Sequence, residues 1–181
     1  MQSFKIIKPI HILTPYVRYY WILEDGADVS VSERTLPTGC IQLVFHRGKR
    51  LLLVGKKESQ PQAFICGQCL NFSDVMSAGK IEMITVVFQP YAARAILQLP
   101  LKFFYGELIA VDAIEDLELS ILSRKVIEAD DHETCIRLIE QFLIHRLYRF
   151  EGYEYNLKRI SAVLHLSLIH ISEPTRHSLI S

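Results

Sequence analysis

Apolar and polar positions alternate along roughly the first half of the chain, then switch to helical spacing. Tyr16 to Leu23 (YVRYYWIL) is crowded with aromatic and β-branched residues that suit a half-buried pleated surface. Val29, Val31 and Glu33 alternate with Ser30, Ser32 and Arg34, the period of a strand with one face toward solvent. Pro37, Thr38 and Gly39 supply turn chemistry before the alternation resumes at Ile41, Leu43 and Phe45. Arg47-Gly48-Lys49 reads as a hairpin tip leading into Leu51 to Val54. Further strands are predicted at Phe64 to Gln68 and Ile81 to Phe88. The last is apolar on both faces, which predicts a strand running through the middle of the core. Short strands without interleaved helices predict a sandwich or barrel.

The period changes at Pro90. A short helix is predicted over Ala92, Ala93, Ala95, Ile96 and Leu97, stopped by Pro100. A longer one covers about Ile114 to Ala129, with Ile114, Leu117, Ile121 and Leu122 on one face. Asp130 with Glu133 makes an N-cap pair for a third helix, whose stripe of Cys135, Leu138, Ile139, Phe142 and Leu143 closes near Leu147. That stripe fits either core or a dimer surface. Phe150 to Tyr155 reads as a linker and Asn156 to Leu164 as the start of a fourth helix. The fold class is therefore α+β: a β-rich part over 1–112, then helices over 113–150.

Charge changes the picture in one respect. Twenty basic residues balance twenty acidic ones, so the formal net charge is zero. A chain that grips a duplex unaided carries a basic surplus or a basic face, and none is visible. No apolar run approaches the ~20 residues that cross a bilayer. The N-terminus has lysines but no long apolar core or small-residue cleavage site, so it does not look like a secretory signal. Four cysteines (Cys40, Cys66, Cys69, Cys135) in such a chain are expected to be reduced thiols in the cytoplasm.

Candidate chemistry is sparse. Cys66-Gly67-Gln68-Cys69 is a C-x-x-C, but zinc needs about four ligands and no second cluster accompanies it. A redox pair of the thioredoxin kind needs a strand-to-helix context, whereas this one ends a strand. Metal-dependent β-barrel enzymes cluster histidines with a carboxylate; the β region offers only His11 and His46, far apart in sequence. No nucleophile elbow, phosphate-binding loop or dinucleotide fingerprint is present. We therefore expect no catalytic residues, no metal and no cofactor. What remains is an aromatic and polar set, Tyr19, Trp21, Arg34 and Gln68 with Arg18 and Tyr20, that can line a pocket for a small ligand. A small β-barrel enzyme, a sugar- or aromatic-binding protein and a plain dimerisation module are the alternatives.

Four segments carry a family resemblance. Ser32 to Phe45 (SERTLPTGCIQLVF) resembles the "E-R-x-L-P-[DT]-G-x-x-[EQ]-[LIV]-[LIV]-F" signature of one branch of AraC-type transcriptional regulators. Tyr16 to Trp21 is similar to "Y-V-x-x-Y-W", Phe64 to Gln68 to "F-[VI]-x-G-Q", and Val86 to Pro90 with Ala92 to "[VI]-x-F-x-P-x-[GA]-[AG]". All four fall in order within residues 1–150, while the later helices match loosely. The resemblance implies a cupin-like sensing domain over 1–112, connecting or dimerisation helices over 113–150, and two helix-turn-helix units beyond. Residues 151–165 resemble only the beginning of that DNA-binding part. The implied partners are a small-molecule effector, a second copy of the chain, and DNA through the absent C-terminal part alone. No membrane partner is implied.

Leu166 to Arg176 (LSLIHISEPTR) resembles a translated transposase adapter from sequencing-library preparation, whose DNA encodes those eleven residues in order. Residues 166–181 are accordingly expected to be non-native and are set aside from fold reasoning.

Overall fold

The strand that is apolar on both faces organises the molecule. In the computed structural model, Ile81–Phe88 (β9) runs between Val17–Asp25 (β2) and Gln42–His46 (β4), pairing antiparallel with both. The structure describes residues 2–26, 32–35, 39–55, 58–68, 72–77, 79–90, 92–100, 106 and 108–149. The remaining strands are Gln2–Ile7 (β1), Ser32–Thr35 (β3), Leu52–Leu53 (β5), Glu58–Ser59 (β6), Ala63–Cys66 (β7), Ser73–Met76 (β8) and Leu108–Ala110 (β10). Among the described residues they form a six-stranded sheet, β1-β2-β9-β4-β7-β10, and a four-stranded sheet, β3-β8-β5-β6. Every pairing is antiparallel. Helices Ala93–Leu97 (α1), Leu117–Glu128 (α2) and His132–Tyr148 (α3) follow. The fold is α+β, with a β sandwich at the N-terminal side. Residues Met1–Arg149 form one compact unit. The second unit, Phe150–Ser181, lies outside the described residues, as do the linker, fourth helix, 151–165 segment and 166–181 tail anticipated there.

Strand alternation gives the large sheet two buried faces. One face carries Trp21, Leu23, Val44, Phe64, Ile81 and Met83, which pack with Leu51, Leu53 and Val75 of the small-sheet side. The other carries Tyr20, Ile22, Leu43, Phe45, Ile65, Ile84, Val86 and Phe88, all essentially inaccessible to water. Cross-strand partners share a face, and the register agrees: Tyr20 with Val86, Val86 with Leu43, Leu43 with Ile65. The helices cover this second face, α2 packing against β4. Burying one such side chain contributes about 1.5–3 kcal/mol, so two-sided burial is the main source of stability.

Two sequence expectations need correction. Residues 47–49 are not a hairpin tip. The amides of Arg47 and Gly48 both donate to Glu82 O, and Lys49 N to Lys80 O, so the chain stays against β9 before crossing to the other sheet. Glycine is required because a Cβ on Gly48 would come within 2.7 Å of Glu82 N and Lys80 O. The cap of α3 is Asp131, not Asp130: its carboxylate accepts from Thr134 N at 2.7 Å and Thr134 Oγ1 at 3.0 Å. These hydrogen bonds hold the Asp131 carboxyl below its ordinary pKa. Helix α2 begins later than periodicity suggests, because Asp116 caps it by accepting from Leu119 N at 3.0 Å.

Three of the five stripe residues of the third helix lie in the core, while Leu138 and Phe142 are half-buried. Cys135, Ile139 and Leu143 are fully buried, and the Cys135 thiol donates to Val126 O of α2 at 3.4 Å. Burial pushes that thiol's pKa up, which keeps it protonated and unreactive. Arg146 locks the helix pair. Its Nη2 donates to both Asp116 oxygens at 2.6 and 2.7 Å, and its Nε lies 2.9 Å from Glu118 Oε2.

Two outcomes follow for stability. Gly48→Ala forces backbone against backbone and should cost about 1–3 kcal/mol in urea unfolding. Arg146→Ala leaves Asp116, whose side chain is 14% accessible, without its cation. It should cost about 3 kcal/mol, whereas Arg146→Met with Asp116→Asn should cost clearly less.

Candidate functional site

The inner face of the large sheet, turned toward the small one, is where aromatic and polar side chains converge. Its rows follow from the register. Tyr19, Val87, Gln42, Cys66 and Leu108 form one row across β2, β9, β4, β7 and β10. Trp21, Thr85, Val44 and Phe64 form the next, and Leu23, Met83 and His46 the third. Tyr19, Trp21, Leu23, Gln42, Cys66 and Leu108 are only half-buried, so this face is not sealed. Beneath them Thr85 and His46 are inaccessible.

Of the residues anticipated from sequence, Tyr19 and Trp21 come together on this face. Trp21 lies against the inter-sheet core, its ring 5.8 Å from that of Phe4. Tyr19 is positioned by a bulge, since the register between β2 and β9 slips between Val17 and Tyr19. The intervening Arg18 places its guanidinium 5.9 Å from the Tyr19 ring centroid and reaches Cys40 Sγ at 3.7 Å. Tyr20 does not belong to the set. It points to the opposite face, where burial and the neighbouring Glu140 carboxylate of α3 hold its phenol far above its ordinary pKa. Gln68 acts as a brace: its Nε2 donates to Gly39 O at 3.0 Å, and its own carbonyl accepts from Gly106 N at 3.0 Å. Both glycines have positive φ, 63° and 67°, a conformation that disfavours a Cβ. Arg34 lies on β3, opposite Asp74 in register; its side chain is outside the described residues. So are Cys69 and Pro37-Thr38. Cys66 ends β7, with its thiol 3.7 Å from Gly67 O.

Sequence reasoning weighed His46 only as a metal ligand and did not single out Thr85. His46 Nε2 lies 2.9 Å from Gln60 Oε1, and its ring packs tilted against Phe64 at 5.8 Å. Desolvation lowers the His46 pKa to about 4, outweighing the opposing hydrogen bond to Gln60, and the Arg50 charge adds to the lowering. The signal was available: Gln42, Val44 and His46 alternate with the apolar Leu43 and Phe45, which places a histidine in phase with an inward-facing valine. Among the described residues no group of three His, Cys, Asp or Glu could hold a metal ion. Nor is any helix there long and apolar enough to cross a membrane.

Residues 5–110 match the model of a family described as a domain of unknown function, DUF6597. The chain belongs to that family. None of the curated proteins matches it. The family segment takes in the second half of β1, the rest of the sandwich and α1, and it ends where β10 ends. Helices α2 and α3 therefore lie beyond the DUF6597 match, although they cover its outer face.

The buried histidine makes a pH prediction. Its pKa is about 4 in the folded chain against 6.5 unfolded, so the unfolded state binds more protons between those values. Stability should be full above pH 6.5 and fall as pH drops toward 4, by up to about 3 kcal/mol from this one residue. An NMR titration following the His46 ring checks this directly; an inflection near 6.5 would contradict it.

Proposed function

We propose that this chain is the effector-sensing part of an AraC-type transcriptional regulator. One observation supports the reading: parts of all four segments that resemble that family, far apart in sequence, lie at one end of the six-stranded sheet. Val17 to Trp21 lies on β2, Gln42 to Phe45 on β4, Phe64 to Cys66 on β7 and Val86 to Phe88 on β9, four adjacent strands, while Ser32–Thr35 of the longest segment lies on β3 of the other sheet. They are also tied to one another. Gln89 N donates to Tyr16 O at 2.9 Å, Phe88 N to Ile41 O at 3.0 Å, and Gln68 to Gly39 O. A ligand site at that end of the sheet would draw on all four segments.

In this reading a small molecule enters between the sheets beside Tyr19 and Trp21. Its binding is felt by the helices through β9, because Met83, Thr85 and Val87 face the ligand while Glu82, Ile84 and Val86 face α2 and α3. The contact is specific: Arg47 Nη1 pairs with Glu82 at 2.6 Å and Arg47 Nη2 donates to Ala129 O, while His132 Nε2 lies 3.1 Å from Glu82. Helix-turn-helix units following the sensing part would then be repositioned on DNA, with residues 151–165 as their beginning and the cytoplasm as the compartment. A chain of zero net charge has no electrostatic hold on a duplex by itself.

Melting the full chain against aromatic, polyol and sugar metabolites tests this. An effector at a hundred times its Kd adds about 2.7 kcal/mol, or roughly 5–10 °C for a domain of this size. If no such compound moves the transition, or if the chain alone shifts promoter DNA in a sequence-dependent way, the reading fails.

A further inference from the structure

Among the described residues, two polar atoms inside the sandwich lack hydrogen-bond partners: Nδ1 of His46 and Oγ1 of Thr85. Both residues are fully buried. They occupy the inner face of neighbouring strands in successive rows, since Thr85 pairs with Val44 and Met83 with His46. Such diagonal positions are within reach of one small molecule. An orphaned buried polar atom costs about 1–3 kcal/mol. Two of them side by side in an apolar core mark a place where stability is given up.

The chemistry of the missing partner can be read from what is there. The amide oxygen of Gln60 can only accept, so the single proton of the neutral imidazole sits on Nε2 and Nδ1 presents a lone pair. Thr85 has a hydroxyl proton to give. A single hydroxyl group satisfies both, donating to His46 Nδ1 and accepting from Thr85 Oγ1. The walls are flat and apolar: Trp21 pairs with Thr85, and the Phe64 ring lies beside His46. The residues of the three rows, from Tyr19 to Leu23 across to Leu108, include no charged side chain, so the face itself favours an uncharged ligand.

We propose that the inner face at His46 and Thr85 is a binding site for a small, uncharged ring compound bearing a hydroxyl, held by that hydroxyl between the two side chains and by its ring against Trp21 and Phe64. This rests on reading the chain as a small-molecule receptor, and it names the class of ligand.

Phenol is the probe, with toluene and benzoate as comparators lacking the hydroxyl or carrying a charge. The full chain, labelled with ¹⁵N-histidine, should show the His46 Nδ1 resonance move on adding phenol, and phenol should raise the melting temperature more than either comparator. Thr85→Val should melt higher than wild type without ligand, because the orphaned hydroxyl is gone, and should bind phenol about tenfold more weakly. A Thr85→Val variant that melts lower and binds phenol as before overturns the proposal. So does an absent phenol response, or a crystal grown with phenol in which an ordered water alone bridges the two atoms. If another metabolite stabilises the chain while the His46 resonance stays still, the site proposed here is wrong and the receptor reading stands.

Discussion

Burial of the central sheet on both faces is the constraint on which everything else depends. A strand in the middle of a sheet satisfies its backbone groups sideways, which frees both faces for apolar contact. β9 uses that freedom fully: every residue from Met83 to Phe88 is buried, and β2 and β4 flank it. Once β9 is fixed, the small sheet must cover one face and the helices the other, because either face left open would expose a large apolar patch.

The two faces are held differently. The helix side is sealed by apolar side chains and then pinned at its ends by charge. Glu82 receives Arg47 and His132 at one end, and Asp116 receives Arg146 at the other. These pairs are mostly shielded from solvent, so they set orientation more than they add net stability. The inter-sheet side differs in kind. It contains orphaned polar atoms, half-buried aromatics and a bulge in β2, features that cost stability and that gather where proteins bind things.

The asymmetry gives β9 a natural role as a connector. Its alternate residues touch the two layers in turn, so a displacement on one side is transmitted to the other through a strand that close packing does not allow to deform locally. Glu82 lies where that strand meets the junction of α2 and α3, through Arg47 to the carbonyl of Ala129.

Much of the fold was legible from residue order. Two-sided apolarity located β9 to the residue, β2 followed from its aromatic and β-branched crowding and β4 from alternation, and the stripe of Cys135, Leu138, Ile139, Phe142 and Leu143 marked the inward side of α3, with Leu138 and Phe142 at its half-buried edge. Very short strands, such as the polar β6 (Glu58–Ser59) and the three-residue β10 (Leu108–Ala110), left no such trace, because they span too few residues to show a period and their pairing is imposed by neighbours. Gly48 was visible as a glycine but not as a point of close backbone approach. At the site, Tyr19 and Trp21 were readable as aromatics two apart on one strand, while Gln68 looked like a pocket residue and is a brace. His46 and Thr85 were invisible as a pair, lying 39 positions apart in sequence. Period and composition determine which residues turn inward, since that depends on local geometry and solvation. Which inward residues meet, and whether their polar atoms find partners, is decided only by strand order and register, which no local stretch of chain contains.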